Sequence, residues 1–150
     1  MKKLIVLILI AATALALCGC GAHKAECKVV SAEFVENVPM NGIWVDYEGK
    51  DIYKIVFSAT LAEPFDGDGA KGDDFRKAMY SRIKDGCKLT FDGGAGEQVW
   101  GYWPEKASKH AATKMTLFYI VPDGTEMSAL TFTLDGSVLG DAEYRFSYNP

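Results

Sequence analysis

The sequence predicts a mainly β fold, an antiparallel β-sandwich of about seven strands with one inserted short helix. Most of the chain after residue 27 alternates apolar and polar residues with the period of two that is typical of strands. Turn-forming residues separate these segments, among them Asn41-Gly42, Gly93-Gly94 and Pro122-Asp123-Gly124. A single segment has apolar residues at helical spacing instead. Short strands separated by such turn residues are typical of two packed antiparallel sheets.

The strand predictions rest on which residues share a face. The clearest strand covers residues 51–62, where Tyr53, Ile55 and Phe57 lie on one side. Residues 114–121 are apolar on both faces, as expected of a central strand. The seven predicted strands are residues 28–36, 51–62, 87–91, 97–103, 114–121, 128–134 and 142–148.

One amphipathic helix is predicted over residues 73–84, packed on an end or edge of the sandwich. Its apolar residues at helical spacing are Phe75, Ala78, Met79 and Ile83. Asp73 or Asp74 could cap its start, and Gly86 could end it. Residues 104–113 contain no clear pattern and are predicted to be the most mobile loop.

The amino-terminal segment has the features of an export signal. Lys2 and Lys3 precede an uncharged apolar run over residues 4–17. This run would be about 21 Å long as a helix, shorter than a hydrocarbon core of about 30 Å. The segment Leu17-Cys18-Gly19-Cys20 follows and resembles the lipobox of bacterial lipoproteins. The resemblance implies cleavage after residue 19 and a diacylglyceryl thioether on Cys20.

Two interpretations of this segment remain open. Cleavage would remove residues 1–19 as a lipoprotein signal peptide and leave residues 20–27 as the lipidated cysteine and its tether, followed by the β-sandwich domain over 28–150. Without cleavage, the uncharged stretch reaches Ala22 and could serve as a membrane anchor. Both interpretations place the domain outside the cytoplasm and attached to the cell membrane.

The net charge of the domain limits the class of partner that it can bind. Removing Lys2 and Lys3 with the leader takes the formal net charge from −4 to −6, and an acidic domain argues against nucleic acid as a partner.

Cys27 and Cys87 are the cysteines left once Cys18 is removed and Cys20 is lipidated. Outside the cytoplasm these two could form a disulfide. They could equally be two unrelated thiols, because sequence spacing does not define their geometry.

Two stretches of the chain resemble a known domain family. They are Ile52-Tyr53-Lys54-Ile55-Val56-Phe57 and the strand, turn and strand formed by Leu117-Phe118-Tyr119-Ile120-Val121-Pro122-Asp123-Gly124 with Leu130-Thr131-Phe132. Both are similar to the telokin-like, immunoglobulin-like domains of lipoproteins from Gram-positive bacteria, a family of unknown function. The resemblance implies an immunoglobulin-like sandwich that acts as a binding or interaction module, and it offers no catalytic residues.

An acidic, glycine-rich loop precedes the predicted helix and is the best candidate for a metal site. It contains Asp66, Asp68, Asp73 and Asp74, and Ca²⁺ prefers several carboxylate oxygens on a flexible turn. The loop is not an EF-hand, because Ala70 stands at the third ligand position. The alternative is a solvated glycine turn that ends in a helix cap. Calcium is the one cofactor that the sequence suggests.

Aromatic residues near the fourth predicted strand are the best candidate for ligand binding. Trp100 and Tyr102 would share one face of the strand while Trp103 takes the other, and Gly101 would leave the backbone between them open. Exposed aromatic faces stack on sugar rings or on side chains of a partner. The alternative is that Trp100 belongs to the core and Trp103 packs over a sheet end. Trp44 and Tyr47, in a Gly-flanked loop, are a second candidate.

Catalytic chemistry is not indicated by the sequence. His23 lies in the predicted tether and His110 in a predicted loop, and neither belongs to a zinc-binding pattern. The chain contains no Gly-x-Ser-x-Gly motif and no Cys-x-x-Cys motif. We therefore expect no enzyme.

The resulting hypothesis is a lipid-anchored, extracytoplasmic binding module whose partner is a protein or an envelope glycan. Two alternatives remain open. One is a solute-capturing lipoprotein associated with a transporter, and the other is a structural or inhibitory lipoprotein of the envelope.

Overall fold

The computed structural model of this chain describes residues 23–150, and within that range the fold is mainly β with antiparallel sheets and one α-helix. The prediction of a mainly β fold with one inserted helix is therefore confirmed. The described residues form eleven strands: β1 (Glu26–Val35), β2 (Val38–Met40), β3 (Ile43–Val45), β4 (Lys50–Thr60), β5 (Cys87–Phe91), β6 (Gly94–Ala95), β7 (Glu97–Tyr102), β8 (Lys106–Ser108), β9 (Ala111–Pro122), β10 (Thr131–Asp135) and β11 (Arg145–Tyr148).

These strands form three antiparallel sheets. The largest has the order β1-β4-β9-β7, with β8 also paired to β9. A second sheet has the order β11-β10-β5-β6, and β2 and β3 form a separate hairpin. The strands predicted over residues 87–91, 97–103 and 114–121 correspond to β5, β7 and β9.

The inner faces of the two larger sheets share one hydrophobic core. Tyr53, Ile55 and Phe57 on β4 are fully buried there, as their shared face predicts. Phe57 meets Phe132 of β10 with ring centroids 5.3 Å apart. Burial of such aromatic side chains supplies a large part of the stabilisation of a small β domain.

The α-helix α1 (Gly72–Lys84) contributes Met79 and Ile83 to this core. Its start differs from the prediction, because Lys71 is the N-cap residue and no side chain caps the helix. Asp73 and Asp74 lie inside the first turn instead, where carboxylates interact favourably with the helix dipole. Three short 3-10 helices complete the regular structure of the described residues, at Gly67–Gly69, Met127–Ala129 and Gly136–Leu139.

The β2–β3 hairpin covers part of the outer face of the largest sheet. Val38 of β2 is buried against Ile52 of β4 and Phe118 of β9, which together form a second, smaller core. This core explains why β9 is apolar on both faces. The hairpin turns at Asn41 and Gly42, whose φ angles of 51° and 84° belong to the left-handed region that Asn-Gly turns favour.

The predicted count of about seven strands is too low, because the described residues form eleven, four of which are no longer than three residues. The strands predicted over 128–134 and 142–148 begin only at Thr131 and Arg145.

Two further predicted boundaries are also wrong. The mobile loop predicted over residues 104–113 contains β8, whose residues 106–108 pair with residues 111–113 at the start of β9. The tether predicted through residue 27 ends earlier, because Ala25 and Cys27 are buried in the core and β1 begins at Glu26. Cys20 and the signal segment lie outside the described residues.

Candidate functional site

Of the two large aromatic residues on β7, one is half-buried and the other is exposed. Trp100 and Tyr102 share one face of β7, as predicted, and this is the outer face of the sheet. Trp100 is half-buried beside the small second core, and its indole nitrogen is buried without a hydrogen-bond partner among the described residues. Tyr102 remains 41% exposed, and its ring centroid lies 6.1 Å from that of Phe118 in an edge-to-face arrangement. Its hydroxyl donates a hydrogen bond to the carbonyl oxygen of Pro39 on β2.

Trp103 lies near α1 rather than beside Tyr102 on the outer face. It is 38% exposed, and the ammonium of Lys77 lies 5.1 Å from its ring centroid, within the range of a cation–π contact. The structure therefore does not place all three predicted aromatics in one cluster.

The expectation that Gly101 leaves open space between the aromatic residues is wrong. A Cβ atom at this position would overlap the hydroxyl of Tyr80 and lie 2.7 Å from the carbonyl oxygen of Thr116. Glycine is required here because α1 and β9 approach the β7 backbone closely.

The most exposed apolar side chains lie on β3, at the hairpin. Trp44 is 73% exposed and Ile43 is 65% exposed. Trp44 pairs across the hairpin with Pro39, whose carbonyl oxygen accepts the hydrogen bond from Tyr102. Trp44 lies on the same face of the hairpin as Pro39, and Ile43 lies on the other face next to the turn. We call these two exposed residues, together with Tyr102, the hairpin surface. Exposed apolar groups of this kind mark interaction sites on soluble domains.

Sequence reasoning missed Ile43 and named Trp44 only as a second candidate for ligand binding. Both belong to three-residue strands, which are too short to show a clear alternation. The signal that could have revealed them is the Asn41-Gly42 pair, because this dipeptide is the strongest short-range indicator of a two-residue β-hairpin.

Acidic side chains flank the β2–β3 hairpin in the sequence. Glu36, Asp46 and Glu48 are exposed, and within residues 23–150 none of the three forms an ion pair. Asp51 accepts a hydrogen bond from the Gly124 backbone N–H at 2.8 Å. Over residues 36–51 the acidic side chains outnumber the basic ones, of which Lys50 is the single member.

The acidic loop does not assemble into a metal site. The Asp66 carboxylate caps the backbone N–H of Asp68 at 3.0 Å. Asp73 pairs with Arg76, whose hydrogen bond lowers the pKa of this carboxyl. Asp74 lies 3.7 Å from the Lys77 ammonium. Among residues 23–150, no group of three or more His, Cys, Asp or Glu side chains could hold a metal ion. The geometry agrees with the solvated turn.

Cys27 and Cys87 are both buried, and both are free thiols in this structure. Burial, together with the neighbouring charge of Glu26, raises the pKa of Cys27 to about 12. Burial also raises the pKa of Cys87, with a smaller contribution from Cys27. Neutral thiols at ordinary pH are poor nucleophiles. Their pairing as a disulfide remains a prediction.

The two histidines, which are far apart in sequence, meet at the start of the domain. The rings of His23 and His110 are stacked with centroids 3.8 Å apart. The Nδ1 atom of His110 lies 3.1 Å from the carbonyl oxygen of Leu61, within hydrogen-bonding distance. This contact holds the segment before β1 against the β8–β9 hairpin, and no sequence pattern indicated it.

Two surface depressions of residues 23–150 lie elsewhere. One has a volume of about 170 Å³ and includes residues of β1, β4 and β9 such as Ser58. The other has a volume of about 430 Å³ and lies beside Lys88 and Arg145. Neither is lined by Ile43, Trp44 or Tyr102.

Comparison with known proteins adds no family assignment. No protein-family model matches this chain, and neither the curated proteins nor the solved structures include a significant match. Within residues 23–150, the helices are too short or too polar to cross a lipid bilayer.

Proposed function

We propose that this chain is a lipid-anchored, extracytoplasmic interaction module without catalytic activity. In this proposal Cys20 carries the anchor, and the two larger sheets form an immunoglobulin-like sandwich of the telokin-like kind. The hairpin surface binds a protein or a glycan of the cell envelope. The lipobox-like segment supports the anchor, and the core shared by two antiparallel sheets supports the sandwich.

The exposure of Trp44 and Ile43 is the observation that carries the binding proposal. Monomeric domains rarely leave a tryptophan this exposed next to another large apolar side chain. Tryptophan and tyrosine are also the residues that most often dominate the binding energy of an interface. The hydrogen bond from Tyr102 to Pro39 ties the hairpin to β7 and so limits the ordering cost of binding.

Capture of a small solute receives less support. Solute sites are concave and enclose most of their ligand. Trp44 on the hairpin and Tyr102 on β7 line neither of the two depressions described above. Exposed apolar side chains outside a depression suit a macromolecular partner better.

Binding to envelope fractions of the source cells tests the proposal. The lipidated protein and its Trp44→Ala variant are titrated against washed membranes and cell-wall material, and bound protein is quantified. Loss of a central tryptophan is expected to weaken saturable binding by about thirtyfold, which corresponds to about 2 kcal/mol. The control is Val30→Ala, because Val30 is 50% exposed on β1, away from the hairpin surface. Saturable binding that Trp44→Ala leaves unchanged would refute the proposed surface.

A further inference from the structure

We propose that the core between the two larger sheets contains a binding site for one internal water molecule, formed by the hydroxyl groups of Tyr53 and Tyr119. Tyr53 is fully buried and Tyr119 is 1% exposed. Neither hydroxyl oxygen has a hydrogen-bond partner among the described residues. Buried hydroxyl groups in folded proteins are nearly always paired with protein atoms or with ordered water, because an unpaired one is costly. The site does not depend on the proposed function.

The strand register brings the two hydroxyl groups to the same part of the core. Tyr53 of β4 lies directly opposite Tyr119 of β9, and both side chains belong to the shared core. Directly opposed side chains of an antiparallel pair have Cβ atoms about 4.5–5.5 Å apart, and rings that extend side by side keep about this spacing at their oxygen atoms. This spacing is too long for a direct O–H···O bond of about 2.8 Å. It fits two such bonds that meet at one water oxygen.

Other polar side chains border the pair. Gln98 of β7 lies directly opposite Tyr119 on the other side of β9, and its amide donates a hydrogen bond of 3.5 Å to the Tyr80 hydroxyl on α1. Burial raises the pKa of Tyr53, and the neighbouring Tyr148 of β11 raises it further. Polar groups from β7 and from the facing sheet therefore lie near the two hydroxyls. This is the surrounding that an internal water needs, because such a water usually makes about three hydrogen bonds.

The burial of the pair limits the occupant to a molecule of the size of water. Neither of the two surface depressions is lined by Tyr53 or Tyr119. Protein cores are packed as densely as organic crystals, and their voids seldom exceed the size of a water molecule. The chemistry also matches, because a phenol hydroxyl can both donate to water and accept from it. A larger ligand would have to separate the two sheets.

Removal of the hydroxyl groups tests whether they have a partner. The full chain, purified in detergent, is compared with Tyr53→Phe, Tyr119→Phe and the double variant by urea unfolding. Each single substitution should lower the folding equilibrium constant about fivefold, which corresponds to about 1 kcal/mol. The double variant should lose clearly less than the product of the two single effects, because both substitutions remove the same bridge.

The matched control is Tyr47→Phe. It removes a hydroxyl on the outer side of the largest sheet, where Tyr47 packs against the small second core. The hydrogen bond of that hydroxyl to the Met40 sulfur is 3.8 Å long, and sulfur is a weak acceptor. This variant should therefore change the folding equilibrium constant less than either substitution in the core.

Magnetic relaxation dispersion of oxygen-17 water tests the occupant directly, because it counts water molecules that stay bound inside a protein. The parent chain and Tyr47→Phe should give the same count. The double variant Tyr53→Phe, Tyr119→Phe should lose one bound water. This readout separates a bound water from a direct contact between the two phenols.

Two results would overturn the inference. Phenylalanine variants as stable as the parent, or more stable, would show that the hydroxyl groups are buried without a partner. An unchanged count of bound water in the double variant would show that no water lies between Tyr53 and Tyr119. Neither result bears on the hairpin surface, because binding to envelope fractions is measured separately with Trp44→Ala.

Discussion

Replacing Gly101 by alanine tests how closely α1 and β9 pack against β7. The added Cβ would overlap the Tyr80 hydroxyl and lie 2.7 Å from the Thr116 carbonyl oxygen, well inside an ordinary contact distance. Overpacking of this kind costs about 1–3 kcal/mol. For a domain of this size, that cost corresponds to a decrease of roughly 4–12 °C in the melting temperature. Circular dichroism during heating and urea unfolding would measure both quantities.

A second substitution shows whether the Tyr80 hydroxyl is responsible. Tyr80→Phe removes that hydroxyl, whose hydrogen bond from the Gln98 side-chain amide is long at 3.5 Å. The single variant should therefore cost at most about 1 kcal/mol. In the Gly101→Ala background the same change should cost less or even stabilise, with a coupling energy of about 0.5 kcal/mol or more. An alanine variant as stable as the parent, or strictly additive effects, would refute the close approach.

Four further predictions follow from the fold and the sequence. Phe57→Ala should lower the free energy of unfolding by about 3–5 kcal/mol, whereas Val30→Ala should change it by no more than about 0.5 kcal/mol, as urea unfolding can measure. Burial raises the pKa of Cys27 from 9.0 to about 12, so the unfolded thiol loses its proton first as the pH rises. Its contribution to stability should be constant below about pH 9 and decline between about pH 9 and 12, and Cys27→Ala should make urea unfolding less sensitive to pH over that range. Millimolar calcium should leave the melting temperature within about 1 °C, because the acidic loop does not gather its carboxylates. Mass spectrometry of the protein from cells should find an amino terminus at lipidated Cys20, and a chain that still begins with Met1 would contradict the lipoprotein assignment.

The large strands were predictable because burial follows directly from their residue pattern. In β4, alternate residues such as Tyr53 and Phe57 face the core, so a period of two is visible over eleven residues. The strand predicted over 87–91 has the same bounds as β5. The helix was equally clear, because Met79 and Ile83 lie one turn apart on its buried side.

The candidate site was harder to predict because it depends on contacts between distant residues. The hydrogen bond from Tyr102 to Pro39 connects residues 63 positions apart. No residue near Gly101 in the sequence indicates that the Tyr80 hydroxyl occupies the space beside it. The hairpin strands are only three residues long, so their turn residues were informative but their periodicity was not.

The stacked histidines shorten the link between any anchor and the folded body. If Cys20 carries lipid, only residues 21 and 22 separate it from His23, which is already fixed against His110. Three residue steps reach about 11 Å at most. The domain would then rotate about this short link and stay close to the bilayer surface. This short link keeps the domain near the membrane, so molecules that reside in or against the same membrane are within reach of the hairpin surface.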